Sequence, residues 1–253
     1  MSSITIAVVA FGAIFAGGLL GMGIRWVLPA HHASEETKEI LRLGSGLVGT
    51  LAAISLGLLI NTSKGTLDTM NNGFTQYGAK VIVLDRVLDN YGPETAPIRG
   101  MLRNAVMHTL DRVWPEDKKR HVDLSPLEAS TTIEMVQVKM NRLSPVNDNQ
   151  RQLKSQAIQI AADLAQSRWI MIEQTQQTLP PFFLTLLLFW LTTLFAGFGL
   201  LSPRNGTAVA VLFVAALSLA GAIFFITEMS TPITGIIKVS RAPLEKALHH
   251  LGR

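Results

Sequence analysis

The chain has 253 residues and not one cysteine. Disulfides, thiolate nucleophiles and thiolate metal sites are thereby excluded. Charge is scarce too: 16% of residues are Asp, Glu, Lys or Arg, against 48% that are hydrophobic. No apolar–polar alternation of useful length occurs, which argues against a β-sheet. No nucleophile stands near a general base in a defensible pattern. The stretch "GTLDTMNNG" (Gly65–Gly73) lacks both the lysine and the spacing of a phosphate-binding loop. These absences leave little chemistry for an enzyme, and no cofactor is expected.

What the sequence does have is four long uncharged runs, Met1–Ile24, Leu43–Ser63, Gln174–Pro203 and Asn205–Thr227. A helix rises ~1.5 Å per residue, so ~20 apolar residues cross a ~30 Å hydrocarbon core. Each run meets that length. The first begins without Lys or Arg and is long for a signal-peptide core, so it reads as a retained span. The expected fold class is therefore all-α: an integral membrane protein with four transmembrane helices and a helical extramembrane bundle between spans two and three. The expected division is 1–63 for an N-terminal hairpin, 64–178 for the helical region, 179–231 for a C-terminal hairpin and 232–253 for a tail. Basic residues near the span ends number slightly more on the side of the central region (Lys64, Lys80, Arg168, Lys238, Arg241, Lys246) than on the other (Arg25, Lys38, Arg42, Arg204). By the positive-inside tendency, the termini and the central region are expected to be cytoplasmic.

The second run opens with "LGSGLVGT", whose Gly44, Gly46 and Gly49 fall in the order of a dinucleotide-binding turn. That turn needs a buried strand before it, and "HHASEETKEILR" supplies none. The glycines belong instead to a span in which Ser45, Gly49, Ala53, Gly57 and Asn61 recur every fourth residue. Gly17 and Gly21 repeat the idea in the first span. Small faces let helix backbones approach in lipid, where no hydrophobic force drives association. The contact so formed is either between the two spans of one hairpin or between copies in an oligomer.

In the central region, "PIRGMLRNAVMHTLDRVW" sets Ile98, Leu102, Ala105, Val106, Leu110, Val113 and Trp114 on one helix face. "QLKSQAIQIAADLAQSRWIMI" does the same with Leu153, Ala157, Ala161, Leu164, Trp169 and Ile172. A weaker stripe in "VIVLDRVLDNYG" stops at Gly92 and Pro93. The pairs His31-His32 and His249-His250 lie on opposite sides by topology and lack carboxylates at ligand spacing, so no metal site is expected. "KKRH" at Lys118–His121 reads as a solvated loop, and basic residues elsewhere alternate with acids, so nucleic acid is not an expected partner. Glu228 closes the last run, where an acid facing lipid costs up to roughly 2.5–3.5 kcal/mol. It either pairs with Lys64 or Lys238, caps a loop, or handles ions. Arg25, Arg42 and Arg204 sit at span ends, where headgroup anchoring is the common role.

Four stretches carry a resemblance: "LPAHHASEETKEILRLGSGLVGTLAAISLGLLINTSK", "LDRVLDNYGPETAPIRGMLR", "FWLTTLFAGFGLLSPRNG" and "SRAPLEKALHHLG". In order along nearly the whole chain, they resemble a bacterial family of four-span membrane proteins labelled bestrophin-like. The resemblance implies a homo-oligomer in the inner membrane that passes chloride or another small anion, with the lipid bilayer as its other partner. It also implies a pore lined by the second span. Leu56, Leu59 and Ile60, with Asn61 beside them, are then the constriction candidates, and Arg25, Arg42 and Arg204 the candidates for an anion entrance. The clustered acids of the calcium clasp in animal bestrophins have no counterpart here, so calcium gating is not carried over. The alternative reading is a membrane-anchored interaction or regulatory module acting through its helical bundle.

Overall fold

The structure is a computed structural model that describes residues 2–27, 35–115, 126–176, 180–203, 205–233 and 235–251. Among the described residues there are eight α-helices, one 3-10 turn and no strand. The helices are α1 (Ser3–Val27), α2 (Glu35–Tyr91), α3 (Ala96–Val113), α4 (Pro126–Asn141), α5 (Asp148–Gln176), α6 (Pro181–Leu201), α7 (Gly206–Met229) and α8 (Ala242–His250). Four of them, α1, α2, α6 and α7, are long and apolar enough to cross a membrane. The protein is an all-α membrane protein. Two compact units are formed, one from residues 1–66 and 178–231, the other from 67–177 and 232–253.

The membrane unit is held by close backbone contact between α1 and α6. A Cβ on Gly17 would stand 2.7 Å from the Thr192 carbonyl oxygen, and one on Gly21 would strike the Ala196 carbonyl. From the other side, a Cβ on Gly199 would collide with the backbone of Gly18 and Met22. Small residues on both helices thus bring main chains together, and dispersion supplies the attraction. Around this crossing lie Ile14, Leu187, Leu191, Phe195 and Ile226, all buried. Phe213 of α7 sets its ring edge-on to Phe11 and Phe15 of α1, at 5.3 and 5.6 Å. Hydroxyls within the spans bond to the carbonyl one turn back, as Thr50 does to Gly46, Thr193 to Phe189 and Ser218 to Val214. In lipid this satisfies a group that finds no water.

The helix α2 continues well past its apolar run. Its inward residues recur at three and four, through Ala52, Leu56, Leu59, Ser63, Leu67, Met70, Phe74, Tyr77, Val81, Leu84 and Leu88. The outward residues change from apolar to charged along the way. The helix stops where Gly92 adopts φ 139°, a left-handed conformation that side chains disfavour, and Pro93 opens the 3-10 turn Pro93–Thr95.

In the second unit, Ile98, Leu102, Ala105, Val106 and Val113 of α3 are buried as their spacing requires. Ala157, Ala161, Leu164 and Ile172 of α5 are buried too, whereas Trp169 is 51% exposed. Trp169 lies off the stripe that runs from Leu164 to Arg168 and Met171. The helix α4 was not legible from the sequence, because among its described side chains only Val136 and Met140 are fully buried. The tail belongs to this unit. The Trp114 indole donates to the Val239 carbonyl at 3.0 Å, and the Ser240 amide to Asn71 Oδ1 at 3.0 Å. Asp85 is 3% exposed and accepts two hydrogen bonds from Arg99, at 2.7 and 3.0 Å. These bonds hold the guanidinium above its ordinary value. Arg99 also reaches the half-exposed Asp89.

Two stability predictions follow from these contacts. Gly21→Leu should lower the thermal midpoint of detergent-solubilised protein, by overpacking worth about 1–3 kcal/mol or more. Gly57→Leu, with nothing within 4 Å of the glycine, should leave the midpoint of the isolated chain unchanged. Removing one partner of the buried pair, in Arg99→Ala, should cost about 3–5 kcal/mol, because Asp85 is left buried and charged. Asp89→Ala should cost about 0–1 kcal/mol. Equal losses in the two variants, measured by denaturant titration, would refute that ranking.

Candidate functional site

A helix turns about 100° per residue, so the stretch of α2 from Arg42 to Lys64 presents three arcs. The first faces the chain's own membrane core and holds Ala52, Leu56, Leu59 and Ser63. Leu59 is buried against this core and Leu56 half-buried, whereas Ile60, one turn on from Leu56, and Asn61 are exposed. The hydroxyl of Ser63 is buried without a hydrogen-bond partner. The second arc is Leu47, Leu51, Ile54 and Leu58, large apolar side chains that are 43–66% exposed. The third arc carries Arg42, Gly46, Thr50, Ala53, Gly57, Ile60, Asn61 and Lys64, all exposed. It is small or polar apart from Ile60, and its two cations stand at opposite ends. They are 22 residues apart, or ~33 Å along the axis, close to the ~30 Å of a hydrocarbon core. Thr50 and Lys64, on this arc, and the buried Ser63 are features the repeat of small residues did not reveal. The signal for them lies in reading the helix by angle as well as by spacing.

The residues expected to pack divide differently from the expectation. Gly17 and Gly21 seat α6, not α2. A Cβ on Gly49 would stand 3.7 Å from a Leu194 methyl of α6, an ordinary contact, and one on Gly197 would come within 3.0 Å of the Ser45 hydroxyl. Ala53 is exposed. Gly44, Gly46 and Gly57 have open space beside them. Only 11% of the apolar window of α2 is buried, against 22–28% in the other three spans.

The basic candidates separate as well. Arg25 Nη1 donates to the Ser202 carbonyl at 2.6 Å, where it satisfies the C-terminal end of α6 and complements its dipole. Arg42 is exposed on the third arc. Arg204 and the pair His31-His32 lie outside the described residues, as does the "KKRH" cluster. Asn205 caps α7 by accepting from the Ala208 amide at 2.8 Å. Glu228 is 2% exposed, so it is enclosed within the protein and not set at a lipid-facing edge. His249 and His250 are exposed, with ring centroids 6.0 Å apart. Among the described residues, no three of His, Asp and Glu gather as a metal site would require.

Between α2, α6 and α7 the membrane unit has an apolar groove of about 790 Å³. A smaller one, about 450 Å³, lies among α1, α2 and α6. Exposed apolar residues, small residues and a polar stripe thus stand together on one sparsely buried span.

Comparison with known proteins places this architecture. No curated protein matches the sequence. A crystal structure of a membrane protein superimposes with a TM-score of 0.66 at 15% identity, covering 97% of each chain. A crystal structure of a point variant of a bacterial bestrophin homologue from Klebsiella pneumoniae gives 0.64 at 16%, covering 94% of this chain and 97% of that one. At such identities these likenesses speak for the fold. The family model for the bestrophin-like domain matches residues 12–244. With nearly the whole chain matched and the four-span helical fold in common, this protein belongs to the bestrophin-like family.

Proposed function

We propose that the protein is an oligomeric anion channel of a bacterial inner membrane, with the third arc of α2 from each copy lining the path. The observation that carries this reading is the arc itself. Asn61 and Lys64 are exposed at the end of a span, where lipid contact would be costly, while a water-filled path would hydrate them. Gly46, Thr50 and Gly57 keep the path wide. Ile60 is the large apolar member and forms the constriction, which gates by wetting and drying. Arg42 and Lys64 place positive charge at both ends and favour anions over cations. The Leu47–Leu58 arc then meets lipid or a neighbouring copy. Arg25 is assigned to capping α6, so the anion entrance rests on Arg42.

Purified protein in liposomes should pass chloride, and Ile60→Ala should increase the flux severalfold. Arg42→Gln and Lys64→Gln should each lower the anion-to-cation permeability ratio, as read from reversal potentials in planar bilayers. Leu59→Ala should act on stability and leave selectivity alone. Silence from both wild type and Ile60→Ala, with assembly verified, would turn the assignment to the interaction-module reading. The exposed Met135, Val138, Trp169 and Ile170 of the second unit would then be its docking residues.

The proposal includes an orientation, with the termini and the central region in the cytoplasm. The chain is free of cysteine, so single cysteines at Ser3, Asn147 and Gly206 report it directly. An impermeant thiol reagent applied to intact cells should label only position 206. Labelling at position 147 would invert the topology.

A further inference from the structure

The second unit carries arginines on the inward sides of two of its helices. On α5 the buried Ala157, Ala161, Leu164 and Met171 form one stripe, and Arg168 takes the place in it between Leu164 and Met171. On α3 the inward side holds Ile98 and Ala105, and Arg112 follows Ala105 by seven residues, two turns along the same side. The Nη1 atom of Arg112 is buried. Contacts with α2 set the two arginines level. A Cβ on Gly73 would stand 3.1 Å from the Met171 side chain, and Lys80 Nζ donates to Ser167 Oγ at 2.9 Å, so Arg168 lies alongside the stretch between Gly73 and Lys80. The rings of Phe74 and Trp114 are 5.0 Å apart, while Arg99 bonds to Asp85 further along, so α3 runs antiparallel to α2. Arg112 therefore lies just past Phe74 in the direction of Tyr77. Tyr77, 3% exposed, is level with both arginines.

Three helices thus bring Lys80, Arg112 and Arg168 to one level of the unit, each half-buried and each still reaching the surface. Taking a cation out of water is costly unless an anion faces it. Among the described residues, neither Lys80 nor Arg168 stands in an ion pair, and Lys80 has only the neutral Ser167 hydroxyl. Burial holds the Arg168 guanidinium below its ordinary value; Tyr77 opposes the shift, Arg112 adds to it by repulsion, and the exposed Glu134 opposes it. Guanidinium forks and an ammonium arriving from separate helices match an anion with several acceptor oxygens, as phosphate has. We propose that Lys80, Arg112 and Arg168 form a binding site for inorganic phosphate in the second unit. The site does not depend on conduction.

The test titrates sodium phosphate, or sodium chloride at equal ionic strength, into the full chain in detergent and reads the heat by calorimetry. One phosphate per chain should bind, about tenfold or more tightly than chloride. Arg168→Met, Arg112→Gln and Lys80→Gln should each weaken phosphate by about tenfold, since each removes a charged donor. Arg103→Gln, which removes an exposed cation of α3 nine residues before Arg112, should bind phosphate as wild type does. If an arginine variant of the cluster fails to fold, Lys80→Gln decides, because Lys80 holds only a hydroxyl. Equal affinity of wild type for phosphate and chloride would overturn the site. So would wild-type phosphate affinity in every cluster variant that folds. A loss in Arg103→Gln as large as that in Lys80→Gln would overturn it too, since the attraction would then be spread over the surface.

Discussion

The structure depends on one seam along α2. From Ala52 to Ser63 in the first unit, and again from Leu67 to Leu88 in the second, the inward residues keep a spacing of three and four, while the outward residues change from apolar to charged. A packed interior is much the same whichever solvent lies outside, so a single inward pattern can serve both units. Only the outward face has to answer to the solvent. That is why "LAAISLGLLINTS" and "VIVLDRVLDNY" look unrelated as strings yet bury equivalent positions of one helix.

Within the membrane, cohesion cannot come from hiding oil from water. The glycine contacts between α1 and α6 supply it by bringing main chains to the closest approach that backbones allow. Arg25 ties the far end of the same pair by donating to the carbonyl of Ser202, the residue that caps α6. The second unit uses the opposite device. There apolar burial is ample, and the buried Asp85 with its two bonds from Arg99 fixes α3 against α2 through directional contacts. The tail is locked by Trp114 and Asn71 in the same manner.

The functional reading follows from what this packing leaves over. While α1, α6 and α7 bury 22–28% of their apolar windows, α2 buries 11% and keeps two unburied arcs, one of leucine and isoleucine and one small and polar. In the proposed oligomer the second of these faces water and the first faces lipid or protein.

The sequence by itself determined the spans, the helical bundle and the family, because length without charge and three-four periodicity are one-dimensional properties. It determined as well that the glycines of "LGSGLVGT" serve a helix, since no strand precedes them. Which helix each small residue touches was decided by the tertiary structure. Gly17 and Gly21 meet α6, while Gly57 meets nothing in its own chain, and all three look alike in sequence. The split of the buried Leu59 from the exposed Ile60 has the same origin. Neighbours in sequence point about 100° apart on a helix, so only the position of the core tells which of them is inside. Arg25 and Glu228 show the rule for charge: sequence put both at span ends, and the fold gave one to a carbonyl of α6 and enclosed the other.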